Sequence, residues 1–200
     1  MKKRREEKLL RFPRRAEGNV RGSAKPCARA QDGEERKARG KEESVRRKDR
    51  EVTDRAVIEE VIKSADCCRL GLCDAGTVYI VPLCFGHECI GGKDIFYFHG
   101  APEGRKISLM KENPVAGFEL DGGFSLHEGE NACAFSAAYR SVIGTGRVTF
   151  LEDKEERRHA LDCIMRHYAK GEEWIYSPAA TERTAVFRLD VQTLSCKIHE

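Results

Sequence analysis

The amino-acid sequence predicts a mainly β domain of the α+β class, in which an antiparallel, barrel-like sheet carries peripheral helices. Three observations support this prediction. Residues 68–199 contain six or seven short apolar runs rich in Val, Ile, Phe and Tyr, which favour strands. The turn sequence Asp74-Ala75-Gly76 joins two of these runs as in a hairpin. Only two or three stretches have helical spacing, and so few helices are typical of an antiparallel barrel.

The first predicted elements are a helix and a hairpin. Residues 53–66 have apolar side chains on one helical face, and Thr53 is the predicted N-cap. Two strands follow at residues 68–74 and 77–85, with the turn between them. Pro82 lies in the second strand and has no N–H to donate, which indicates a sheet edge or a bulge.

The middle of the chain contains two further strands and a short helix. Residues 86–94 are rich in Gly and polar side chains and are predicted as a loop, and the aromatic run at 94–99 is the third strand. A helix is predicted over residues 104–113 and ends before Pro114, which cannot continue it. The fourth strand is predicted at residues 115–121.

The last third of the chain is predicted to return to the sheet. Residues 122–131 are polar and are predicted as a loop. Residues 133–153 are too long for one ordinary strand and are predicted as two strands bent around Gly144 and Gly146. The closing elements are a helix that opens with Asp153, and strands at residues 183–191 and 193–199.

Charge divides the chain into a basic N-terminal segment and an acidic remainder. Residues 1–50 contain 19 Lys/Arg and 9 Asp/Glu, so the totals of 36 and 33 leave 17 basic and 24 acidic residues for 51–200. Residues 1–44 contain few large apolar side chains, and we predict a disordered basic tail outside a folded domain of residues 45–200. The tail is interpreted as an arm for nucleic acid or an anionic membrane, as a solvated extension without a role, or as sequence preceding a natural start near Val45.

The nine cysteines do not form a recognisable metal-binding pattern. Their number is odd and no C-x-x-C pair occurs. The spacing of Cys68 from Cys73, and of Cys84 from Cys89, is loose for a zinc site and lacks matching histidine pairs. Because neither a secretory signal nor a membrane-spanning apolar run is present, we expect reduced, structural thiols in the cytoplasm and no metal site. A metal or cluster site is the alternative.

The stretch FYFHGAPEGRKISLM, residues 96–110, places two cations where a helix begins. The helix N-terminus carries partial positive charge, so Arg105 and Lys106 are unfavourable there unless an anion binds. A phosphate would be held by both side chains and by free backbone N–H groups, which Gly100 and Gly104 allow it to approach. The alternative is an ordinary turn with two solvated cations. The sequence contains neither a GxxxxGK[ST] loop nor a GxGxxG motif.

Residues from about 46 to 199 resemble the FMN-binding split-barrel family related to pyridoxamine-phosphate oxidases, and within it the branch of nitroimidazole-resistance proteins. The motifs VYIVPLCF, IFYFHGAPEGRKISLM and AYRSVIGTGRVTFLED occur in the family's order, and RRKDREVTD resembles the usual opening of the branch. The resemblance implies a homodimer of six-stranded split barrels with FMN at the interface. The C-terminal Arg-Leu segment that holds the substrate of true pyridoxamine-phosphate oxidases has no counterpart, so vitamin B6 oxidation is not expected.

The resemblance also implies which residues bind the flavin. One strand segment would run beside the isoalloxazine ring, the end of the next strand would lie near the ring or ribityl chain, and the two helix-start cations would hold the phosphate. His99 is the candidate catalytic residue, as a proton donor or anion contact, because histidine titrates near neutrality; a hydrogen bond that ends a strand is the alternative. The implied cofactor-binding residues are Val81, Pro82, Leu83, Cys84, His99, Gly100, Arg105, Lys106, Arg140, Ser141 and Val142.

No chemistry is assigned to the other histidines. His159 and His167 are predicted on an exposed helix face. Trp174 either reaches the flavin of the other protomer or packs at the end of a helix. The remaining histidines, predicted in loops or at the terminus, are His87, His127 and His199.

The function that this resemblance implies is an FMN-dependent oxidoreductase. Electrons would pass from a nicotinamide or other donor through the flavin to a nitroimidazole-type or other small acceptor. The expected partners are a second copy of the chain and a small molecule, rather than nucleic acid or a membrane. The alternatives are a non-catalytic flavin carrier or redox sensor, and a nucleic-acid-associated protein that uses the basic tail.

Overall fold

The computed structural model describes residues 47–171 and 173–200. Within these ranges, four α-helices surround one sheet of eight strands. The predicted tail of residues 1–44 lies outside the described residues. The strands are β1 (Glu51–Val52), β2 (Cys68–Asp74), β3 (Thr77–Leu83), β4 (Phe85–Ile90), β5 (Lys93–Gly100), β6 (Val115–His127), β7 (Ser136–Phe150) and β8 (Ala185–His199). The helices are α1 (Arg55–Ser64), α2 (Arg105–Glu112), α3 (Lys154–Tyr168) and α4 (Pro178–Glu182).

The sheet is antiparallel and has the strand order β3-β2-β6-β7-β8-β5-β4, with β1 paired to β8. The predicted mainly β class is therefore confirmed. The predicted count of six strands is wrong, because the described residues form eight. In these residues no pairing joins the two end strands, β3 and β4, so the sheet is not a closed barrel. The position of β3 at an end confirms the edge that Pro82 predicts.

Several predicted strand boundaries are wrong because pairing continues across glycines and polar residues. β4 occupies most of the predicted loop at 86–94 and pairs along its length with β5. The strand predicted at 115–121 continues to His127, opposite β7. β7 is one strand rather than two, with a register shift between Thr145 and Gly146 where it faces β8. A bulge therefore replaces the predicted break.

Aspartates cap two of the helices. Asp54, rather than the predicted Thr53, precedes α1 and accepts a hydrogen bond from the Ala56 N–H at 2.8 Å. Asp153 precedes α3, as predicted, and accepts from the Glu155 and Glu156 N–H groups at 2.9 and 3.0 Å. Each carboxylate satisfies backbone donors that have no partner within the helix. None of the helices in the described residues is long and apolar enough to span a membrane.

The main hydrophobic core lies between the inward face of the sheet and helices α1 and α2. It is rich in aromatic side chains, and four phenylalanines in it are fully buried. A second, smaller cluster packs α3 against β5 and β8. The four buried phenylalanines are Phe85, Phe96, Phe98 and Phe187.

Candidate functional site

The start of α2 has free backbone donors. Gly104 precedes the helix with a φ of +118°, in the region that favours glycine, and no side chain caps the helix. The N–H groups of Ile107 and Ser108 bond to the Gly104 carbonyl at 2.9 and 3.1 Å. In the described part of the chain, the N–H groups of Arg105 and Lys106 have no acceptor. These two donors are available to an anion at a helix end that already favours one.

Lys106 folds back over the end of β5. A Cβ atom at Gly100 would stand 2.9 Å from its Cε and 3.2 Å from its Nζ, so the missing side chain at position 100 makes room for the ammonium group. Partial burial of the imidazole and the nearby Lys106 charge both lower the pKa of His99. His99, Gly100 and Lys106 therefore form one group, in which the imidazole is mainly neutral at neutral pH.

Arg105 points toward the β2–β3 hairpin. Its Nε and Nη2 both bond to Asp74 Oδ2, with an Nε–Oδ2 distance of 2.9 Å. Its guanidinium carbon lies 4.6 Å from the centroid of the Tyr79 ring, within range of a cation–π contact. Nη1 has no hydrogen-bond acceptor in the described residues. Sequence reasoning missed Asp74 and Tyr79 as neighbours of this helix start, because both come from a hairpin distant in the chain.

The segment Val81–Cys84 presents its residues to two sides of the sheet edge. Val81 and Leu83 are partly buried against the main core, whereas Pro82 and Cys84 are exposed. Arg105 connects this strand to α2 through Tyr79, two residues before Val81. The VYIVPLCF motif and the two cations at the start of α2 therefore lie on adjoining elements.

The third group of predicted residues lies in β7 and is divided between surface and core. Arg140 donates a hydrogen bond to Glu60 Oε1 at 2.9 Å, which ties β7 to α1. Ser141 is partly buried, and the Val142 side chain is fully buried in the main core. A surface ligand would therefore reach only the backbone of Val142.

The outward face of β3 and its neighbours carries exposed apolar side chains. Val78 and Ile80 are 72% and 62% exposed. The register places Ile80 opposite Gly71, which faces Gly117 on the next strand, so small residues flank the exposed side chain. A flat apolar face of this kind is typical of a contact surface rather than of a solvated strand.

Three histidines predicted as exposed or in loops make specific contacts. His87 is not in a loop but in β4, where it is 6% exposed and its Nε2 lies 2.7 Å from Asp94 Oδ1. His167 is partly buried, and its Nε2 lies 2.8 Å from the Ala65 carbonyl oxygen. His159 is half-exposed, as predicted for its helix face, but contacts Glu88 on β4.

Trp174 is partly exposed and follows α3. Its carbonyl oxygen accepts a hydrogen bond from Arg158 Nη2 at 3.0 Å. This contact belongs to the packing of the segment onto α3. The possible reach of the indole to a second protomer stays a prediction.

Comparison with known proteins yields a family and a set of related structures. The family model described as pyridoxamine 5'-phosphate oxidase matches residues 54–198. A candidate 5-nitroimidazole antibiotic resistance protein from Bacteroides thetaiotaomicron is 36% identical, with a TM-score of 0.65 over 74% of this chain and 86% of that chain. No curated protein gives a significant match.

Two more distant structures share the fold. The flavocytochrome Anf3 from Azotobacter vinelandii is 21% identical, with a TM-score of 0.67 over 78% of this chain and 72% of that chain. The FAD and heme binding protein from Mycobacterium smegmatis is 18% identical, with a TM-score of 0.65 over 76% of this chain and 74% of that chain. At these identities the likeness supports the fold alone.

Sequence and architecture agree on the family. The family model spans more than two thirds of the chain, and the Bacteroides protein supports the same assignment at 36% identity. The antiparallel sheet with few helices is the split-barrel fold. The chain therefore belongs to the pyridoxamine 5'-phosphate oxidase family, a family of flavin-binding split barrels.

Proposed function

We propose that this protein is an FMN-dependent oxidoreductase that reduces a small acceptor of the nitroimidazole type. Membership of a flavin-binding family supports a flavin, and the 36% identical Bacteroides protein, a candidate nitroimidazole-resistance protein, supports the class of acceptor. The observation that carries the proposal is the group at the start of α2. There, two free N–H groups, Lys106 and the neutral His99 lie together at the positive end of a helix.

The residues at this helix start suit the phosphate of FMN. The phosphate monoester is a dianion, and two backbone donors, the Lys106 ammonium and the unpaired Nη1 of Arg105 provide four positive or partly positive groups. Binding such an anion would offset the repulsion between the two cations and the helix dipole. Arg105 can keep its contacts with Asp74, because Nε and Nη2 make them and Nη1 does not.

Each part of the chain has a distinct task in the proposed reaction. When bound, the flavin supplies the exchange of electrons with donor and acceptor. Val81–Cys84 offers backbone groups along the edge strand, and Cys84 is exposed beside them. Reduction of a nitro group consumes protons. His99 is suited to deliver one at pH values low enough to protonate its imidazole, and burial and the Lys106 charge, which lower its pKa, make that protonated form a ready donor.

A second copy of the chain would complete the site. The exposed face that includes Val78 and Ile80 adjoins the strand segment proposed to run beside the flavin. Burying these side chains against the same face of a partner would remove apolar surface from water, and a two-fold axis would bring two sites to one interface. The family resemblance implies a homodimer with flavin at the interface, and contact through this face would be compatible with it.

The proposal is tested by isolating the protein and identifying its cofactor by mass. We expect a yellow protein that releases FMN on denaturation and whose chemically reduced form is reoxidised by a 5-nitroimidazole under anaerobic conditions. FAD in place of FMN would leave the family assignment intact and change the ligand. A flavin that no acceptor reoxidises would favour the carrier or sensor instead. A colourless protein that also fails to take up added FMN would contradict the proposal.

A further inference from the structure

A second polar cluster lies where α3 crosses β4, and none of its members belongs to the proposed flavin site. His159 and Cys163 are four residues apart on α3 and therefore share one face of the helix. Glu88 reaches this face from β4. His159 Nε2 lies 3.0 Å from each Glu88 oxygen and 3.5 Å from Cys163 Sγ, and Sγ lies 3.8 Å from Glu88 Oε2.

These separations are close to those between ligands that share a zinc ion. With zinc bonds of about 2.0–2.1 Å to nitrogen, 2.0–2.2 Å to oxygen and 2.3 Å to sulfur, the edges of a tetrahedral site are about 3.4 Å for N–O and 3.6 Å for N–S and S–O. Each of the three observed edges, of 3.0, 3.5 and 3.8 Å, is within about 0.4 Å of these values. We propose that Glu88, His159 and Cys163 bind a zinc ion.

The chemistry of the three side chains favours zinc over calcium or magnesium. A thiolate and an imidazole are ligands of borderline and soft metals, whereas calcium and magnesium select oxygen. One carboxylate, one thiolate and one neutral imidazole balance the charge of a divalent ion. His159 is half-exposed, so the fourth position faces solvent and suits a water molecule.

Neighbouring side chains orient two of the proposed ligands. The Tyr97 hydroxyl donates a hydrogen bond to Glu88 Oε1, which leaves Oε2 on the side of Cys163. Arg166 Nη2 donates to Cys163 Sγ at 2.8 Å and so favours the thiolate that a metal requires. Burial and the Glu88 charge raise the pKa of Cys163, and a bound cation would reverse that effect by replacing the thiol proton.

The zinc ion would link helix α3 to strand β4 of the sheet. Two of its ligands lie on α3 and the third on β4, and the main chain of α3 at Cys163 lies close to Gly86 of this strand. Because the metal binds the folded arrangement and not the unfolded chain, zinc would stabilise the docked helix. The expected absence of a metal site follows from the lack of cysteine pairs, whereas this cluster combines a lone His-x-x-x-Cys spacing on α3 with a carboxylate from β4.

The test measures zinc binding to the full chain after removal of metals with a chelator, by equilibrium dialysis and elemental analysis. We expect the parent protein to bind one zinc ion per chain. The zinc affinity should fall more than about 100-fold in each of the variants Cys163→Ser, His159→Asn and Glu88→Gln. Loss of a side chain that only supports a ligand typically lowers the affinity by about 10- to 100-fold, so a larger loss identifies a ligand. The matched controls are Cys89→Ser, an exposed cysteine next to Glu88, and His127→Asn, an exposed histidine on β6. Both controls should bind zinc as the parent protein does.

A thermal scan gives a second readout that does not depend on flavin. Zinc at about 100 times its Kd should raise the Tm of the parent protein by about 5–10 °C, and should leave the Tm of His159→Asn unchanged. His159 is half-exposed, so this variant should fold even if the buried Cys163→Ser does not. Less than one zinc per chain, or zinc that persists in His159→Asn, would overturn the proposal.

Discussion

The main chain of Gly86 in β4 lies against the main chain of Cys163 in α3, with no space for a side chain between them. A Cβ atom at position 86 would stand 2.4 Å from the Cys163 carbonyl carbon and 2.5 Å from the Ile164 nitrogen. Because these are backbone atoms of a helix, they cannot move away as a flexible side chain would. The close approach of helix and strand therefore depends on glycine at this position.

Replacing Gly86 with Ala should lower the free energy of unfolding by about 1–3 kcal/mol or more, since helix and strand must separate to admit the methyl group. Urea denaturation followed by circular dichroism measures the change. The control is Gly71→Ala in β2, where the nearest atom to an added Cβ is 3.8 Å away and the φ is ordinary. An equal loss of stability in both variants would contradict the packing argument.

Removing the buried carboxylate of Asp94 should destabilise the protein in a pH-dependent way. Burial opposes its charge, but hydrogen bonds from His87 and Arg55 hold the pKa of Asp94 at about 2, below its ordinary 3.8. The stabilisation is present above about pH 4 and is lost as the pH falls through 2. At pH 7, Asp94→Asn should therefore reduce the free energy of unfolding by about 2–3 kcal/mol, and the difference should shrink in acid.

The matched control for Asp94 is the partly exposed pair of Arg188 and Asp190, whose side chains are 35% and 41% exposed. Asp190→Asn should change stability by less than about 1 kcal/mol, because solvent screens such a pair. Acid and neutral urea titrations of both variants give the comparison. A constant deficit in Asp94→Asn from pH 7 to pH 2 would show that its effect is not electrostatic.

Replacing Arg105 and Lys106 together with Ala should weaken FMN binding far more than it harms folding. Loss of one charge-assisted contact should weaken binding by about 10- to 150-fold, and the double change should cost more, although neighbours on one phosphate need not add. Flavin fluorescence measures the Kd. Riboflavin lacks the phosphate and is the control, so its affinity should barely change. If FMN and riboflavin lost affinity equally, the two cations would not bind the phosphate of FMN.

His99→Gln should slow reduction of a nitroimidazole by about 100-fold, with the rate expressed per bound flavin. The lowered pKa of His99 means that its proton-donating form accumulates only below the usual 6.5, so the rate constant of flavin reoxidation in the parent protein should rise as the pH falls below that value. This rise should be absent from the variant. Stopped-flow reoxidation across pH measures both effects, with His127→Gln as the control. If His99→Gln kept the pH profile of the parent protein, His99 would not be the proton donor.

Placing a charge on the outward face of β3 should separate the proposed dimer. Ile80→Lys would bury an unpaired ammonium in the contact between copies, which opposes association. Sedimentation analysis should give a dimer for the parent protein and a monomer for the variant. Ile175→Lys is the control, because Ile175 is fully exposed and lies outside the sheet. A dimer that survives Ile80→Lys would show that another surface mediates association.

Local patterns in the sequence predict much of this fold and part of the site. The spacing of Ile58, Val61 and Ile62 predicts α1, and the cations at 105 and 106 mark the start of α2. The sequence of residues 86–94 predicts a loop, because glycines and polar side chains interrupt the apolar pattern that would indicate a strand. His87 is polar yet buried, and its partner Asp94 is held in turn by Arg55, 39 positions away.

Contacts between distant elements account for what the sequence does not predict at the site. Asp74 faces Arg105 across 31 positions, and Glu88 faces His159 across 71. Neither pair has a spacing that a helix or strand pattern would indicate, since each depends on how a helix packs on the sheet. Single-residue chemistry can therefore nominate Arg105 as a phosphate contact, but its charged neighbour Asp74 emerges only from the packed chain.

The position of β8 in the sheet has a consequence for how the protein acquires its structure during synthesis. β8 lies between β7 and β5 and is the only link between the four-strand group β3-β2-β6-β7 and the pair β5-β4 in the described residues. It also follows the other seven described strands in the chain and is therefore translated after them. Both groups must wait on the ribosome with open edges until it emerges, and such edges invite wrong pairing. The continuous sheet of the described residues therefore forms only when β8 closes both edges.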